Sequence, residues 1–210
     1  KKEDSSSMTS STILSIGSAG DGQTDDGRFI PFALPGETVI DGEPIPSSPD
    51  RVPPVCAHFG TCGGCSWQHM DYKMQLFFKE KQVRDVLKRV GKVTLPEIMP
   101  ILASAKTRHY RNRLDFTFSN KRWLTWDEKN SGLSDTADVL GFHMSARFDK
   151  ILDIHTCYLM DETQNDMRNA VREMAQRDAL QFFDIRHKEG FLRNMIVRGT
   201  SIGEWMVIMV

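Results

Sequence analysis

Three of the four cysteines of this chain lie within ten residues of one another. Cys56, Cys62 and Cys65 belong to the stretch VCAHFGTCGGCSWQH, and Cys157 follows 92 residues after Cys65. Thiolates are soft ligands that suit zinc and iron–sulfur clusters. The C-x2-C pair can direct two sulfurs at one centre, and the glycines beside it permit positive φ angles. The pattern predicts a metal site whose ligands are Cys56, Cys62, Cys65 and Cys157.

Composition describes a globular chain with an uneven charge distribution. Hydrophobic residues make up 40% and charged residues 26% of the 210 positions, which excludes overall disorder. Residues 1–50 hold 3 Lys/Arg against 9 Asp/Glu, whereas residues 71–125 hold 13 against 5. A charge run is often only a solvated face, but this excess favours a polyanionic partner. No segment has the length of a signal peptide or membrane span, which predicts a cytoplasmic protein without membrane contact.

The thiols admit several kinds of site. Disulfides suit the cytoplasm least, and a thioredoxin-like C-x2-C is expected near a βαβ pattern that this sequence lacks. Structural zinc remains an alternative, although zinc sites more often use two short knuckles. A three-plus-one arrangement favours a [4Fe–4S] cluster, which is therefore the predicted cofactor. Four thiols satisfy either metal, so His58 and His69 are predicted to be structural.

Two helices are predicted from apolar residues that recur every three or four positions. The first covers residues 70–91, and the second runs from about Glu162 to Arg177. The apolar face of the first comprises Met74, Phe77, Phe78, Val83, Val86, Leu87 and Val90. The apolar face of the second comprises Met167, Ala170, Val171, Met174 and Ala175. Both faces are predicted to pack against a core.

Strand periodicity dominates the rest of the chain. Residues 11–50 read as short strands broken by turns, which suits a small β-barrel or meander. In HYRNRLDFTFS, Leu114, Phe116 and Phe118 alternate with Arg113 and the residues around it. Several strands follow without intervening helices, so an antiparallel sheet is predicted.

The sequence resembles a known family at several of these places. CAHFGTCGGCSWQH, preceded by SPDRVPPV, resembles the iron–sulfur signature of the 23S ribosomal RNA (uracil-5-)-methyltransferases. GRFIPFALPGETV is similar to the family's TRAM domain, HYRNRLDF to its Tyr-Arg-x-Arg strand, and ILDIHTCYL to the surroundings of its fourth ligand. The resemblance spans most of residues 11–210.

The resemblance implies an α+β fold in three parts. A flexible N-terminus over residues 1–10 precedes an OB-like TRAM barrel over residues 11–50. Residues 51–210 form a mainly antiparallel β central domain with two helices and the iron–sulfur site. A C-terminal Rossmann-type domain would bind S-adenosylmethionine. The chain ends in an apolar run and has no fifth cysteine. We therefore expect a fragment that lacks this domain and is inactive alone, and no catalytic residue is predicted in it.

Ribosomal RNA is the partner that the resemblance implies, and no obligate protein partner is implied. Arg111 and Arg113 are expected on one strand face, about 7 Å apart, where they could clamp a phosphate or a flipped base. The alternative pairs them with Asp115 or another acid. Lys106 and Arg108 would strengthen the positive field. Trp67 could stack on a base, but shielding the cluster is the preferred interpretation.

Two alternative functions share some of these sequence features. Radical S-adenosylmethionine methylthiotransferases also combine TRAM domains with clusters, but they use C-x3-C-x2-C and leave one iron open. The C-x5-C-x2-C spacing and the fourth thiol argue against that chemistry. A zinc-stabilised RNA-binding module without catalysis remains the alternative.

Overall fold

The computed structural model describes residues 10–144 and 149–210. This part of the chain forms ten strands and three helices. It divides into two compact units. The first unit comprises the described residues up to Ala57 together with Cys65–Ala103, and the second comprises His58–Gly64 and the described residues of Ser104–Val210. The predicted flexible N-terminus lies, except for Ser10, outside the described residues. No helix in the described part is long and apolar enough to cross a membrane.

Five short strands form the sheet of the first unit. They are β1 (Ser10–Ile16), β2 (Gly22–Thr24), β3 (Phe29–Ile30), β4 (Thr38–Ile40) and β5 (Glu43–Ile45). Their order is β3-β2-β1-β4-β5, and all paired neighbours are antiparallel. Ile13, Ile30, Ala33 and Val39 form a buried cluster against this sheet. β3 and β5 are the edges of this sheet, and the OB-like barrel over residues 11–50 stays a prediction.

Helix α1 (Tyr72–Arg89) belongs to the first unit. It begins after Asp71, whose side chain accepts a hydrogen bond from the Lys73 amide, and it confirms the helix predicted over residues 70–91. Phe78 is its buried residue and packs with Ile16, Leu34 and Met70. The prediction that the whole apolar face is buried is wrong. Phe77, Val83, Val86, Leu87 and Val90 are 37% to 77% exposed. Periodicity predicts a helix, but it does not determine how many turns of that helix meet a partner.

The second unit is built on a sheet of longer strands. They are β6 (Arg113–Lys121), β7 (Thr136–His143), β8 (Ile151–Asp153), β9 (Asn194–Gly199) and β10 (Trp205–Met209). The order is β10-β9-β6-β7-β8, and every pairing is antiparallel. Leu114, Phe116 and Phe118 alternate into the core, as the period of two predicts.

A short helix, α2 (Trp126–Asn130), lies between β6 and β7 and was not predicted from periodicity. Its start carries a capping box. The Thr125 side chain accepts from the Glu128 amide, and the Glu128 carboxylate accepts from the Thr125 amide. Five residues are too few for an apolar stripe to repeat, so local capping chemistry is the signal that predicts this helix.

Helix α3 (Glu162–Arg177) begins and ends where it was predicted, but its buried face is different. The buried residues are Gln164, Asn165, Arg168, Arg172 and Ala175. Met174, which belongs to the predicted face, is 46% exposed. Side chains on this face donate to backbone carbonyl groups of Cys157, Ile154 and Leu140. This polar face is the part of the fold that positions the site described next.

Candidate functional site

Helix α3 holds the backbone of Cys157 with two consecutive side chains. The Cys157 amide donates to Asn165 Oδ1 at 2.8 Å. The Cys157 carbonyl accepts from Gln164 Nε2 at 3.1 Å and from Asn165 Nδ2 at 3.3 Å. Cys157 itself is buried, with 7% of its surface exposed. This clamp was not predicted from the sequence, although Asn and Gln side chains, which can both donate and accept, are a usable signal when they lie close to a cysteine.

A second cysteine of the same unit, Cys62, lies in a glycine-bearing turn. Its amide donates to the His58 carbonyl at 2.9 Å. Gly60 has φ of +87°, so this turn uses the conformational freedom of glycine. Gly64 does not have a positive φ; a Cβ built there would lie 3.4 Å from Cys62 Sγ and 4.0 Å from Leu159 Cδ1. The sulfur of Cys62 and the segment after Cys157 thus both approach Gly64.

The other two cysteines, Cys56 and Cys65, are half-buried and belong to the first unit. The Cys56 amide donates to Gln68 Oε1 at 3.1 Å, which fixes the start of the cysteine loop. Trp67, between Cys65 and Gln68, donates from Nε1 to the Gly20 carbonyl at 3.0 Å and packs on the core of that unit. Its polar and apolar parts therefore have partners inside the first unit.

The structure gives no geometric support for a metal centre. Among residues 10–144 and 149–210, no group of three or more Cys, His, Asp or Glu side chains is placed to hold a metal ion. None of the four cysteines forms a disulfide within the described residues. Cys56, Cys62, Cys65 and Cys157 therefore stay a prediction from spacing and donor chemistry.

The two histidines that were predicted to be structural both have a pKa that burial lowers. His69 is 2% exposed and meets the Phe32 ring edge-on at 5.9 Å between centroids. Burial, with the nearby charge of Arg51, lowers the pKa of His69 to about 4. Burial also lowers the pKa of His58, although Asp153 acts against this effect. Both imidazoles are therefore neutral at pH 7.

Two buried arginines of α3 donate hydrogen bonds to the chain segments near Cys157. Arg172 donates to the Leu140 carbonyl at 2.6 Å, to the Ile154 carbonyl at 2.7 Å and to Asp153 Oδ1 at 2.8 Å. It thereby connects β7 and the end of β8 to the helix. Arg172 is 4% exposed, so these contacts are shielded from water.

Arg168 lies one helical turn earlier and is fully buried. Its guanidinium donates to Gln164 Oε1 at 3.2 Å and to the His155 carbonyl, and it lies 5.0 Å from the centre of the Phe116 ring. Burial, together with the charge of Arg172, lowers the pKa of Arg168 to about 10. Arg168 therefore remains a cation at neutral pH.

The basic segment before β6 runs beside the residues that follow Cys157. The His109 amide donates to the Tyr158 carbonyl at 2.8 Å, and the Arg111 amide donates to the Leu159 carbonyl at 2.7 Å. The side chains predicted to bind RNA in this segment are exposed; they are Lys106, Arg108 and Arg111. The fold thus brings the predicted RNA-binding segment next to the chain around Cys157.

Arg113 is engaged in the way that the alternative interpretation described. Its guanidinium forms a two-point contact with Asp115, at 2.8 Å from Nε to Oδ1 and 2.7 Å to Oδ2. This hydrogen bonding raises the pKa of Arg113. The regular strand begins at Arg113, whereas Arg111 forms an isolated parallel bridge with Met160. The two arginines therefore do not share one regular strand.

An open pocket of about 780 Å³ lies where β6, β9 and β10 meet. Its lining includes Asn112, Arg113, Arg198, Glu204, Trp205 and Met206. Arg198 was not among the residues predicted from the sequence to bind RNA. The period of two in the stretch FLRNMIVRG, which alternates buried Met195 and Val197 with outward residues, would have identified it.

No protein-family model matches the chain. Its curated relatives are RNA methyltransferases. An uncharacterised RNA methyltransferase of Bacteroides thetaiotaomicron is 46% identical over 197 residues, which is 87% of this chain and 43% of the relative. The chain is therefore a homologue of RNA methyltransferases over the residues that match.

A more specific name comes from an archaeal protein. The tRNA (uracil(54)-C(5))-methyltransferase of Pyrococcus abyssi is 30% identical over 196 residues, 87% of this chain and 42% of that protein. The crystal structure of the P. abyssi enzyme in complex with S-adenosyl-L-homocysteine has a TM-score of 0.65 and 26% identity, and covers 95% of this chain. The chain spans less than half the length of the curated relatives that it matches.

These comparisons correct one prediction. The Rossmann-type methyltransferase domain was expected to be absent, but the matched structure is that of a methyltransferase of which this chain covers 45%. The point at which the sequence stops thus gives no ground for concluding that the protein lacks a catalytic domain. The expected inactivity and the expected lack of a catalytic site rested on the same conclusion, and the comparisons do not support them.

Proposed function

We propose that this chain is part of an RNA (uracil-5-)-methyltransferase that uses S-adenosylmethionine. The observation that carries the proposal is the similarity, over 95% of the chain, to a tRNA (uracil-54, C5)-methyltransferase in complex with S-adenosyl-L-homocysteine. The iron–sulfur-like loop and the Tyr-Arg-x-Arg strand add to it, because both coincide with features of the resembled family. A cytoplasmic location accords with an RNA substrate of either ribosomal or transfer type.

In this proposal, the role of the described residues is to bind RNA. Arg111, Arg113, Arg108 and Lys106 are the proposed contacts, and all four are on exposed positions of the second unit. Guanidinium groups suit phosphate because they offer paired donors in one plane. Phosphate contacts would position the RNA, and the base would be recognised elsewhere.

Two RNA classes are candidates for the substrate. The cysteine-loop resemblance supports 23S ribosomal RNA, whereas the names of the Pyrococcus relatives support transfer RNA. The protein that carries this chain would be incubated with labelled S-adenosylmethionine and with 23S ribosomal RNA or tRNA transcripts. Digestion and mass spectrometry of nucleosides would detect 5-methyluridine. Label in neither RNA, from protein shown to be folded, would contradict the proposed activity.

The [4Fe–4S] cluster is the second part of the proposal, with Cys56, Cys62, Cys65 and Cys157 as ligands. It is supported by four thiols in a three-plus-one spacing and by the glycines among them. Its proposed role is structural, because methyl transfer to uracil involves no net electron transfer. The alternative is a zinc-stabilised RNA-binding module without catalysis.

Metal analysis separates these two possibilities. Protein purified without oxygen is expected to be brown and to contain iron and acid-labile sulfide, and Cys157→Ser is expected to lose both. Cys157→Ser with undiminished iron would remove Cys157 from the ligand set. Colourless protein with stoichiometric zinc would favour the binding module.

A further inference from the structure

Two arginines lie side by side on adjacent strands in the sheet of the second unit. In the register of β6 and β9, Arg113 is paired directly with Arg198. In the register of β9 and β10, Arg198 is paired directly with Met206. Directly paired residues project from the same face of a sheet, with Cβ atoms about 5 Å apart. The three residues therefore form one cross-strand row, and this row lines the open pocket at the sheet edge.

The charges of this row are not balanced. Like charges placed directly opposite on a sheet destabilise it. Arg113 is partly compensated by Asp115, two residues along the same strand. Within residues 10–144 and 149–210, the Arg198 guanidinium forms no ion pair and no hydrogen bond. An anion held between the two arginines would remove their repulsion and give Arg198 its missing acceptors.

The surroundings restrict which anion fits. The pocket is open to solvent, and Asn112 adds an amide that can donate to a phosphate oxygen. Asp115 pairs with Arg113 and Glu204 lines the pocket, so a highly charged free anion would meet two carboxylates and is disfavoured. A single phosphate of a longer chain carries one charge and is presented by the rest of that chain.

We propose that the row formed by Arg113 and Arg198 binds one backbone phosphate of the RNA, and that Asp115 competes with this phosphate for Arg113. This inference rests on the proposed function, because it names a contact to the RNA substrate. It assigns binding to Arg198, which lies outside the predicted Tyr-Arg-x-Arg stretch. The Asp115 pair is exposed on both sides, so exchanging its carboxylate for a phosphate costs little.

The first experiment measures binding of a fluorescein-labelled single-stranded RNA of about 20 nucleotides to the 210-residue chain at several salt concentrations. Arg198→Gln is expected to weaken binding about tenfold, the effect of one charged hydrogen-bonded contact. It should also reduce the slope of log K against log salt by about 0.7, the value for one phosphate contact on a single strand. The matched control is Arg177→Gln, which removes an exposed arginine of helix α3 that contacts Asp178.

The second experiment releases Arg113 instead of removing a cation. Asp115→Asn is expected to strengthen RNA binding and to steepen the salt slope, because Arg113 then becomes available to the phosphate. Asp178→Asn is its matched control, since Asp178 makes the same two-point contact with Arg177, at 2.8 and 3.0 Å. Both substitutions remove one negative charge, so a general electrostatic effect would be equal in the two variants.

The outcomes separate this inference from the proposed function. Equal changes in Arg198→Gln and Arg177→Gln, or in Asp115→Asn and Asp178→Asn, overturn the phosphate row and leave the methyltransferase proposal intact. Wild-type chain that binds no RNA, together with no 5-methyluridine formation, overturns both. If circular dichroism shows that Arg198→Gln does not fold, the comparison of Asp115→Asn with Asp178→Asn decides.

Discussion

Each unit of the molecule buries a charged group, but the two groups have opposite sign and different partners. In the first unit, the Glu37 carboxylate is fully buried and accepts from Arg51 at 2.6 and 2.7 Å and from the Leu34 amide at 2.8 Å. In the second unit, Arg172 is 4% exposed and donates to two backbone carbonyls and to the Asp153 carboxylate. Both connect irregular segments to a sheet, where strand pairing is not available.

The difference determines how each unit responds to acid. Burial by itself raises the pKa of Glu37, but hydrogen bonds from Arg51 and backbone amides outweigh it and lower the pKa overall. His69, also in the first unit, is held neutral with a pKa of about 4. Carbonyl groups do not titrate, and Arg172 stays protonated at any acidic pH. In the first unit, Glu37 and His69 are therefore buried groups whose protonation changes in acid.

Loss of Arg172 is expected to have the largest effect. Arg172→Met would remove a buried donor to Asp153 and to the Leu140 and Ile154 carbonyls, and removing one partner of a buried pair costs about 3–5 kcal/mol. Hydrogen exchange with mass spectrometry would show the loss as faster exchange in β7, β8 and α3. Arg177→Met, on the exposed side of the same helix, is the control and is expected to leave exchange unchanged. A tolerated Arg172→Met would show that the carbonyl groups find other donors.

Loss of the buried carboxylate is expected to come second. Glu37→Gln keeps the shape but leaves the partly exposed Arg51 without a counter-charge, at a cost of about 2 kcal/mol. The measurement is the local free energy of unfolding of the first unit at pH 7. Because the pKa of Glu37 is lowered in the folded state, the benefit of its charge is present above the unfolded-state pKa. The difference between the variant and the wild type should therefore shrink as pH falls through the folded pKa.

The pH profile tests the third buried group. The pKa of His69 is about 4 in the folded protein and 6.5 for an imidazole without these contacts. Between these two pH values the His69 side chain is protonated in the unfolded chain but not in the folded one. Stability of the first unit should fall as pH decreases through this window, by at most about 1.4 kcal/mol per pH unit. Urea unfolding followed by Trp67 fluorescence would measure it. His69→Gln should flatten the profile, and an unchanged slope in that variant would assign the effect to other groups.

The smallest effect is expected where the units are alike. Asp71 caps α1 by accepting from the Lys73 amide at 2.9 Å, and Asp161 caps α3 by accepting from the Thr163 amide at 3.0 Å. Asp71→Ala and Asp161→Ala should each cost about 1 kcal/mol, the usual value for an N-cap. Hydrogen exchange in the two helices would compare them. A much larger loss in one helix would mean that the difference between the units is not confined to their buried charges.

Local patterns in the sequence predicted the elements more reliably than their environment. The bounds of α3 and the buried alternation of β6 follow from apolar period and capping residues, which are properties of neighbouring positions. The burial of α1 and the polar face of α3 do not follow, because they depend on segments distant in the chain. The same limit applies to the site: the basic residues before β6 were predicted, whereas their position beside Tyr158 and Leu159 was not.

By itself, the sequence determined the thiol set, the charge distribution and the resemblance to RNA methyltransferases, because residue types and spacings carry chemistry without coordinates. Only the tertiary structure showed that Gln164 and Asn165 hydrogen-bond to the Cys157 backbone. It also decided that Arg113 forms an ion pair with Asp115 and lies opposite Arg198. Strand register and helix packing bring together residues tens of positions apart. No local pattern encodes such distances, since they depend on which segments satisfy each other's hydrogen bonds in the folded chain.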